Sequence, residues 1–469
     1  MQKENKKVII VLYAIVAMFI IMVLYLAYFQ IVKSEQIVKN PYNSRLWVDE
    51  TKYHRGSILD RNGVVIAESI EGENGDKQRN YPFASLFCHV LGYTSTDYGK
   101  TGLEQTFNTE LLNINKTTPI DDIKNLVIEN TIGNDIMTTL DVELQSHASS
   151  LLEGHKGSII LMNPKTGEVH AMVANPTFNP NTISNDWEEL INNKESPLLN
   201  RSTQGLYTPG SVIKIITATA IMEESDRIDL NYDDQGKTEV EGYTINNFEH
   251  IAHGQINMMW ALVHSSNAYF VDKALEVGSL KMSDVFEKFM FNRKIGFDLP
   301  VEVSTSPFKD GMGISDLAAA SYGQGTTLVT PLNMAMSVSA LANEGKMVRP
   351  ILVKKIIKED GELIRDVNTN VISQVTTPEI ANTLKEYMQT VVENYHTAQI
   401  PGLASGGKTG TAETSSGLSH AWYVGFAPVD NPRFAVAVVL EEDGTLGGTT
   451  AAPIGASMLG KAYEIISEN

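Results

Sequence analysis

The chain opens with its longest apolar run, which extends from Val8 to Phe29 without a charged residue. An α-helix rises about 1.5 Å per residue, so this run spans about 33 Å, enough for the hydrocarbon core of a bilayer. It is longer than the apolar region of a signal peptide, and no small-residue cleavage site follows promptly. The pattern predicts a cytoplasmic tail over residues 1–7 and one uncleaved membrane anchor over residues 8–29. The flanking cations bias the orientation only weakly, because they lie on both sides of the run: Lys3, Lys6 and Lys7 before it, and Lys33, Lys39 and Arg45 after it.

Residues 30–139 alternate between short apolar runs and polar turns. Two apolar runs, 57–60 and 64–67, flank Arg61-Asn62-Gly63, and Asn-Gly between such runs is a strong signal for a β-hairpin. The polar, glycine-containing stretch from Glu71 to Arg79 predicts a loop. No catalytic constellation occurs in this region. We therefore predict a small mixed domain, the pedestal, which acts as a spacer or docking domain.

The pattern changes near residue 139, where longer regular elements begin. Asp141 is placed to cap a helix, and two apolar strands joined by a turn follow. Strands return near the C-terminus before a last helix, whereas the middle, from about Ser211 to Ala342, is helical. Strands contributed by both ends predict one sheet with an inserted helical subdomain, within a domain that covers residues 140–469. The predicted elements are helix 142–153, strands 157–162, 169–174, 421–427 and 434–441, and helix 454–467.

Composition narrows the possible functions. A chain of 469 residues is long enough for two or three domains, and its 42% hydrophobic content supports a sizeable core. The net charge of −19, without a basic stripe, argues against nucleic-acid binding. The single cysteine, Cys88, permits no internal disulfide and is predicted to be a small core residue. The ten histidines are scattered, so the sequence predicts no metal site.

The helical middle begins with an unusual pair, Ser211 and Lys214. Val212 to Met222 is apolar on nearly every face, which is typical of a buried helix. A serine before such a run is ordinarily an N-cap, but a capping box would place Glu or Gln at position 214. A lysine there opposes the helix dipole and loses hydration, and both effects lower its pKa. Ser211 is therefore either a capping residue or a nucleophile that a neutral Lys214 activates.

Ser-x-x-Lys is a weak motif by itself, because it occurs three times in the chain. Ser306 is followed by proline in a stretch typical of a loop. The third instance, Ser405-Gly406-Gly407-Lys408, is too rich in glycine for a stable helix. Only Ser211 precedes a buried helix.

Two triplets extend the pattern. Ser265-Ser266-Asn267 is a Ser-x-Asn triplet, and the other example, 467–469, lies at the C-terminus, where chains fray. Lys-Thr-Gly occurs at Lys100 in a loop-like stretch, at Lys165 in a predicted hairpin turn, and at Lys408 before a predicted strand. The glycines around Lys408 allow a ligand or another backbone to approach closely.

The motifs at Ser211, Ser265 and Lys408 occur in the order seen in class A β-lactamases and penicillin-binding proteins. Two N-terminal segments, 55–63 and 102–104, resemble the pedestal boxes of class B penicillin-binding proteins. The chain thus resembles a class B penicillin-binding protein, in a short form without appended C-terminal repeat domains. The flanking segments that also resemble the family are 205–210, 321–325 with 330–332, 408–413 and 422–428.

This resemblance implies an α/β (α+β) fold of the serine β-lactamase/transpeptidase type, in which helices flank an antiparallel sheet and an all-α subdomain is inserted. It implies a D,D-transpeptidase that cross-links peptidoglycan stem peptides through an acyl-enzyme at Ser211, the residue that penicillins would also acylate. Lys214 would take the Ser211 proton, and Ser265 would relay a proton to the leaving amine. Lys408 would hold that relay, and Asn267 would bind the donor peptide. No cofactor is expected.

The same resemblance implies how the substrate is held. Thr409, Gly410 and Thr411 would bind the terminal carboxylate of the donor peptide. The backbone N–H groups of Ser211 and Thr411 would form the oxyanion hole, and each such donor contributes roughly 10²–10³ in rate.

The resemblance also implies a location and a partner. The catalytic domain would lie on the extracytoplasmic side of the cell membrane. A pedestal of about 110 residues is too small to contain a glycosyltransferase. The expected partner is therefore a polytopic glycosyltransferase of the shape, elongation, division and sporulation family, contacted through the anchor and the pedestal.

Two other functions remain open from the sequence. A β-lactamase or β-lactam sensor of the same fold would need a base for deacylation, for which Glu188 and Glu189 are the candidates. A scaffold without catalytic activity could instead activate a partner polymerase. An inactive site, however, has no reason to keep all five of the residues Ser211, Lys214, Ser265, Asn267 and Lys408.

Overall fold

The computed structural model describes residues 2–29, 54–72, 76–113 and 132–467. The first helix, α1 (Gln2–Tyr28), contains the segment Ile9–Tyr28, whose mean hydropathy is 3.0 and whose length is sufficient to cross a membrane. Three of the flanking cations, Lys33, Lys39 and Arg45, lie outside the described residues, as do the last two positions of the second Ser-x-Asn triplet.

The pedestal is built on a mixed sheet. The Asn-Gly hairpin is present, with Ile58 paired to Ala67 across antiparallel strands. The stretch from Glu71 to Arg79, expected to be a loop, is strand at its two ends, because Glu71 ends one strand and 77–79 lie in the strand that pairs with it, while 73–75 lie outside the described residues. On the second strand, Arg79 binds a buried carboxylate. The described elements are β1 (Ile58–Leu59), β2 (Val65–Glu71), β3 (Lys77–Asn80), α2 (Cys88–Leu91), β4 (Thr94–Ser95), β5 (Gly99–Lys100), α3 (Gly102–Thr106), α4 (Asn108–Leu111) and β6 (Asp135–Thr138).

The buried carboxylate is Glu104, which joins the two pedestal boxes. Its oxygens accept hydrogen bonds from Nε of Arg55 at 2.6 Å and from Nε of Arg79 at 2.7 Å. Burial alone would raise the pKa of Glu104, but the charges of Arg79 and Arg55 outweigh it and lower that pKa. Removing one partner of a buried ion pair usually costs about 3–5 kcal/mol, so this triad holds the pedestal's segments together.

The larger domain contains the predicted sheet. Its five strands are β7 (Gly157–Met162), β8 (Val169–Asn175), β17 (Gly406–Ala412), β18 (His420–Ala427) and β19 (Phe434–Leu440). They lie in the order β17-β18-β19-β7-β8, and every neighbouring pair is antiparallel. The strands come from both ends of the domain, as the sequence predicts.

Helices cover both faces of the sheet. Alternate strand residues pack on α5 (Val142–Leu151) and the C-terminal helix on one face, and on the inserted region on the other. Asp141 caps α5 as expected, since its side chain accepts from the backbone N–H groups of Glu143 and Leu144. The other helices of this domain are α6 (Ile183–Asn192), α7 (Lys214–Met222), α8 (Met258–Val263), α9 (Asn267–Val277), α10 (Ser279–Lys288), α11 (Ile314–Ser321), α12 (Pro331–Ala342), α13 (Pro378–Asn394) and α14 (Ala451–Ser467).

The inserted region is mainly helical and also carries short strands. The central helix α7 is buried along nearly its whole length, which matches its apolar sequence. One later strand leaves the region and pairs with β6 of the pedestal, so the two domains share a six-stranded sheet. The short strands are β9 (Tyr232–Asp234), β10 (Lys237–Val240), β11 (Tyr243–Asn246), β12 (Gly254–Ile256), β13 (Lys346–Val348), β14 (Val353–Ile357), β15 (Leu363–Asp366) and β16 (Val371–Gln374).

Candidate active site

Ser211 lies on a tight turn between the sheet and the central helix. The expectation that it directly opens an α-helix is wrong in detail, because Gly210–Ile213 is a 3₁₀ turn and α7 begins at Lys214. Gly210 has a φ of +56°, and a Cβ there would lie 2.5 Å from the carbonyl oxygen of Thr411. Only glycine fits this conformation at this distance. The turn therefore holds Ser211 next to the edge strand of the sheet.

That edge strand is β17, which carries the predicted carboxylate-binding residues. A Cβ on Gly410 would lie 3.0 Å from the backbone nitrogen of Val212, so the strand and the turn are in direct backbone contact. Thr409 is 9% exposed, and the hydroxyl of Thr411 accepts from the backbone N–H of Gly447 at 3.2 Å. The backbone segments of Ser211 and Thr411 thus adjoin, and the oxyanion hole that the resemblance implies stays a prediction.

Ser265 follows α8 in a left-handed conformation, with a φ of 53°. The N–H of Ser266 reaches the carbonyl of Ala261 at 3.0 Å, and the N–H of Ser265 reaches that of Leu262 at 3.2 Å. These two bonds form a Schellman motif, which usually has glycine at the left-handed position. A serine there is strained by roughly 1–2 kcal/mol, and such strain concentrates at functional sites.

Lys214 makes three contacts across the site. Its Nζ donates to the carbonyl oxygen of Ser265 at 2.6 Å and to Oδ1 of Asn267 at 2.7 Å, and lies 3.3 Å from Oγ of Ser265. The same nitrogen lies 5.5 Å from the centroid of the Phe270 ring. The central helix is thereby tied to the predicted Ser-x-Asn triplet.

Lys408 reaches the same hydroxyl from the sheet. Its Nζ donates to Oγ of Ser265 at 3.0 Å and to the carbonyl oxygen of Thr409 at 3.0 Å. The structure therefore brings three predicted residues, Lys214, Ser265 and Lys408, together around one hydroxyl beside the Ser211 turn.

The two lysines share a site that disfavours positive charge. Both side chains are fully buried. Burial and the charge of Lys408 lower the pKa of Lys214 well below its ordinary value, against an opposing effect of Asp234. Burial lowers the pKa of Lys408 to about 7. Burial and the charge of Lys408 therefore both favour the neutral form of Lys214.

Other instances of the motifs lie in other elements, although Lys408 of the cluster also ends the Ser405-x-x-Lys instance. Ser306 is bound by the side-chain amide of Asn292 at 3.2 Å, beside Phe308 of the core. Lys100 lies on β5 of the pedestal, and Lys165 lies in the turn between β7 and β8, where it donates to the side chain of Asn431. Cys88 is buried, as expected for a core residue. Among the described residues, no group of three or more potential ligands could hold a metal ion.

Two residues behind the site, Asp234 and Asn247, were not predicted. Both are nearly fully buried, and the amide of Asn247 contacts the backbone of Asn267 at 2.8 Å. Their sequence surroundings are rich in Asp, Asn and Gly, which is the ordinary composition of turns. No local pattern distinguishes them, because their role depends on a contact with a distant helix.

The left-handed serine gives a test that separates chemistry from stability. We expect Ser265→Gly and Ser265→Ala to lower the rate of acylation by penicillin equally, by about 10²-fold or more, because both lose the hydroxyl between the lysines. Only Ser265→Gly removes the strain, so it should be more stable than Ser265→Ala by about 1 kcal/mol. Stopped-flow acylation and denaturant unfolding measure the two effects. Equal stability of the two variants would contradict the strain argument.

The antiparallel sheet, the buried lysine pair around the Ser265 hydroxyl and the adjoining Ser211 turn fit the class of active-serine proteins that recognise penicillin. Residues 157–460 match the penicillin binding protein transpeptidase domain, and residues 55–136 match the penicillin binding protein A dimerisation domain. The chain therefore belongs to the penicillin-binding protein family, and its relatives place it among the class B members.

Relatives match most of the chain. The peptidoglycan D,D-transpeptidase PbpA of Mycolicibacterium smegmatis is 28% identical over 95% of this chain and 97% of its own length. The peptidoglycan D,D-transpeptidase MrdA of Acinetobacter baumannii is 31% identical over 80% of this chain and 64% of its own length.

Solved structures match equally widely. The D,D-transpeptidase domain of a peptidoglycan glycosyltransferase from Eggerthella lenta is 31% identical, with a TM-score of 0.80 over 89% of this chain and 100% of that chain. Penicillin-binding protein A from M. tuberculosis, in its imipenem acyl-enzyme complex, is 26% identical, with a TM-score of 0.82 over 88% of this chain and 99% of that chain.

Proposed function

We propose that this protein is a membrane-anchored serine D,D-transpeptidase that cross-links peptidoglycan stem peptides through an acyl-enzyme on Ser211. The observation that carries the proposal is the convergence of Lys214 and Lys408 on Ser265, beside the Ser211 turn. The names of the relatives support the activity, and acyl-enzyme complexes of M. tuberculosis penicillin-binding protein A support covalent inhibition by penicillins.

The hydrogen bonds of Lys214 fit a neutral amine. A neutral amine has two N–H donors and one lone pair. The carbonyl oxygen of Ser265 and Oδ1 of Asn267 accept only, so they use both donors. The lone pair is left for a hydroxyl proton, which is the requirement for a base that activates Ser211.

The acylation step follows from these positions. Oγ of Ser211 attacks the carbonyl carbon between the two terminal D-alanines, and the carbon–nitrogen bond breaks. The Ser211 proton passes to Lys214 and then through the Ser265 hydroxyl to the departing amine of D-alanine. An amine of a neighbouring stem then attacks the ester, its proton returns to Oγ of Ser211, and the new amide is the cross-link.

The edge strand β17 positions the donor peptide. Thr409, Gly410 and Thr411 bind its terminal carboxylate, and a cationic Lys408 beneath them attracts the same charge. The N–H groups of Ser211 and Thr411 stabilise the oxyanion, each contributing roughly 10²–10³ in rate. Asn267 binds the backbone of the donor while it also orients Lys214.

The N-terminal helix provides the membrane anchor and a contact for a partner. The transpeptidase domain lies on the extracytoplasmic side, where peptidoglycan is built. α1 exposes the apolar side chains of Val16, Phe19, Ile20, Val23 and Leu24. Positions spaced three and four apart form one helical stripe, which suits packing against a transmembrane helix of a polytopic glycosyltransferase.

The alternative of β-lactam hydrolysis lacks support at the site. A β-lactamase of this fold needs a carboxylate that activates water for deacylation. Glu188 and Glu189 are exposed on α6, a helix whose Trp187 stacks on Tyr98 of the pedestal. Among the described residues, neither glutamate hydrogen-bonds to Ser211, Lys214 or Ser265.

Mass spectrometry of the penicillin-treated protein tests the proposed function. We expect the full-length chain in detergent to carry one penicilloyl group on the peptide that contains Ser211, and to release it over many minutes or longer. The same preparation should release D-alanine from a peptide ending in D-Ala-D-Ala and join the remainder to an added amine. Release of the penicilloyl group within seconds, or an adduct on another residue, would refute the proposal.

A further inference from the structure

The Ser265–Asn267 turn is held from behind by the side chain of Asn247. Its Oδ1 accepts from the backbone N–H groups of Asn267 at 2.8 Å and of Ala268 at 3.1 Å, and from Oγ of Ser266 at 3.3 Å. These N–H groups lie in the first turn of α9, where backbone N–H groups have no carbonyl partner within the helix. Asn247 therefore caps α9 from a distant part of the chain.

Asn247 is in turn fixed by a buried carboxylate. Its Nδ2 donates to both side-chain oxygens of Asp234, each at 2.9 Å, and to the carbonyl oxygen of Ile251 at 3.1 Å. Asp234 is 0% exposed, and its Oδ1 also accepts from the backbone N–H of Gly236 at 2.8 Å. Nδ2 of Asn247 faces only acceptors, and its Oδ1 faces only donors. The amide of Asn247 therefore has only one orientation that satisfies all of its hydrogen bonds.

The same segment orients the amide of Asn267. The carbonyl oxygen of Asn246 accepts from Nδ2 of Asn267 at 2.8 Å, so Oδ1 of Asn267 faces Lys214 at 2.7 Å. A series of hydrogen bonds, buried at Asp234 and part-buried at Asn267, thus leads from Asp234 through Asn247 and Asn267 to Lys214.

We propose that Asp234 and Asn247 are positioning residues that hold the Ser265–Asn267 turn against Lys214 and thereby set the rate of acylation. Neither side chain touches the reacting atoms. The inference rests on the proposed function, since it concerns the geometry of that same site. A shift of about 1 Å far from the chemistry can cost roughly 10²-fold in rate, so loss of this support should be measurable.

The charge of Asp234 adds a second effect with its own signature. Among the described residues, Lys408 and Asp234 are the charged groups that shift the pKa of Lys214 beyond the effect of burial, and Asp234 raises it. Asp234 also acts on His264, whose pKa is lowered by burial and by His253. Removing the charge of Asp234 should therefore move the acidic limb of the pH–rate profile to lower pH. A purely structural role would not move this limb.

Asp234→Asn is the main test. It replaces one carboxylate oxygen with an NH₂ group that faces the NH₂ group of Asn247, so the two amides cannot keep their orientation. We expect the second-order rate constant for acylation by penicillin to fall roughly 10- to 100-fold, with the acidic limb at lower pH. Asn247→Ala removes the amide that joins Asp234 to the turn, and it should lower the acylation rate constant by a similar factor.

Asp272→Asn is the matched control. Asp272 accepts from Tyr232 at 2.6 Å and from Thr238 at 2.7 Å, so it supports the neighbouring strands β9 and β10 without a hydrogen bond to Asn247. Its acylation rate should stay within about twofold of the wild-type rate, because additivity holds for independent sites. A fall as large as that of Asp234→Asn would assign the effect to the local fold and overturn the proposal.

The double variant D234N/N247D provides the rescue. The amide at position 234 can donate to one oxygen of the new carboxylate, while the other oxygen accepts from the N–H groups of Asn267 and Ala268. The carboxylate oxygen that replaces Nδ2 faces the carbonyl oxygen of Ile251 and cannot donate to it, so we expect partial recovery, to a rate above that of either single variant. Wild-type acylation by D234N, or no recovery in the folded double variant, would overturn the proposal. Failure of the wild-type protein itself to form an adduct would instead refute the proposed function.

Discussion

Ser211→Ala is expected to abolish penicillin labelling and to lower the release of D-alanine by about 10⁴- to 10⁶-fold, as removal of a catalytic serine does in other acyl-transfer enzymes. The fold should survive this change, since no hydrogen bond within the described residues uses the Ser211 side chain. Gel fluorescence with a labelled penicillin and a coupled assay for D-alanine measure the two losses. Thermal unfolding of the variant within a few degrees of the wild-type temperature would exclude misfolding as the cause.

Ser306→Ala is the matched control for this experiment. Ser306 begins another Ser-x-x-Lys sequence, but its hydroxyl binds Asn292 beside the core instead of facing the lysine pair. We expect this variant to retain penicillin labelling and cross-linking. Penicillin labelling and cross-linking that both persist in Ser211→Ala would show that Ser211 is not the nucleophile.

The sequence was sufficient for the parts of the fold that local patterns determine. The anchor, the Asn-Gly hairpin and the strands at both ends of the large domain each have a periodicity or a turn that is readable within a few residues. The pairing of β14 with β6 across the domains has no such signal, because it joins residues far apart in the chain. The strand from Lys77 likewise depends on the buried contact of Arg79 with Glu104.

In the candidate site, too, some features have a local sequence signal and others do not. Ser211, Lys214, Ser265 and Lys408 could be found because short motifs carry them. The 3₁₀ turn at Ser211 could not, because it depends on backbone contact with β17. The left-handed Ser265 could not, because the residue that ends α8 in this conformation is a serine instead of the usual glycine. Asp234 and Asn247 could not be predicted either. They lie in segments with the ordinary composition of turns, although both side chains are buried and support the site.

Lys214→Met should lower the rate of penicillin acylation by about 10²- to 10⁴-fold, the usual contribution of a general base. Methionine has a similar length and suits an apolar site, so the change removes the amine without leaving a large cavity. The matched variant is Lys273→Met on α9, whose Nζ pairs with Glu276 at 2.8 Å outside the site. We expect Lys273→Met to acylate like the wild-type protein. An unchanged rate in Lys214→Met would assign the base to another group.

The pH dependence of acylation distinguishes the two buried lysines. The pKa of Lys214 is lowered by burial and by the charge of Lys408, so the rate constant should rise with pH as Lys214 becomes a neutral base. Burial lowers the pKa of Lys408 to about 7, so the rate constant should fall above that pH as Lys408 loses the charge that attracts the substrate carboxylate. For the free enzyme this predicts a bell-shaped profile, whose limbs belong to the coupled pair. Lys214→Met should lose the acidic limb, and Lys408→Met should lose the alkaline limb. A profile that rises steadily to pH 9 would show that a cationic Lys408 is not required, and would leave Ser265 as the only link between Lys408 and the reaction.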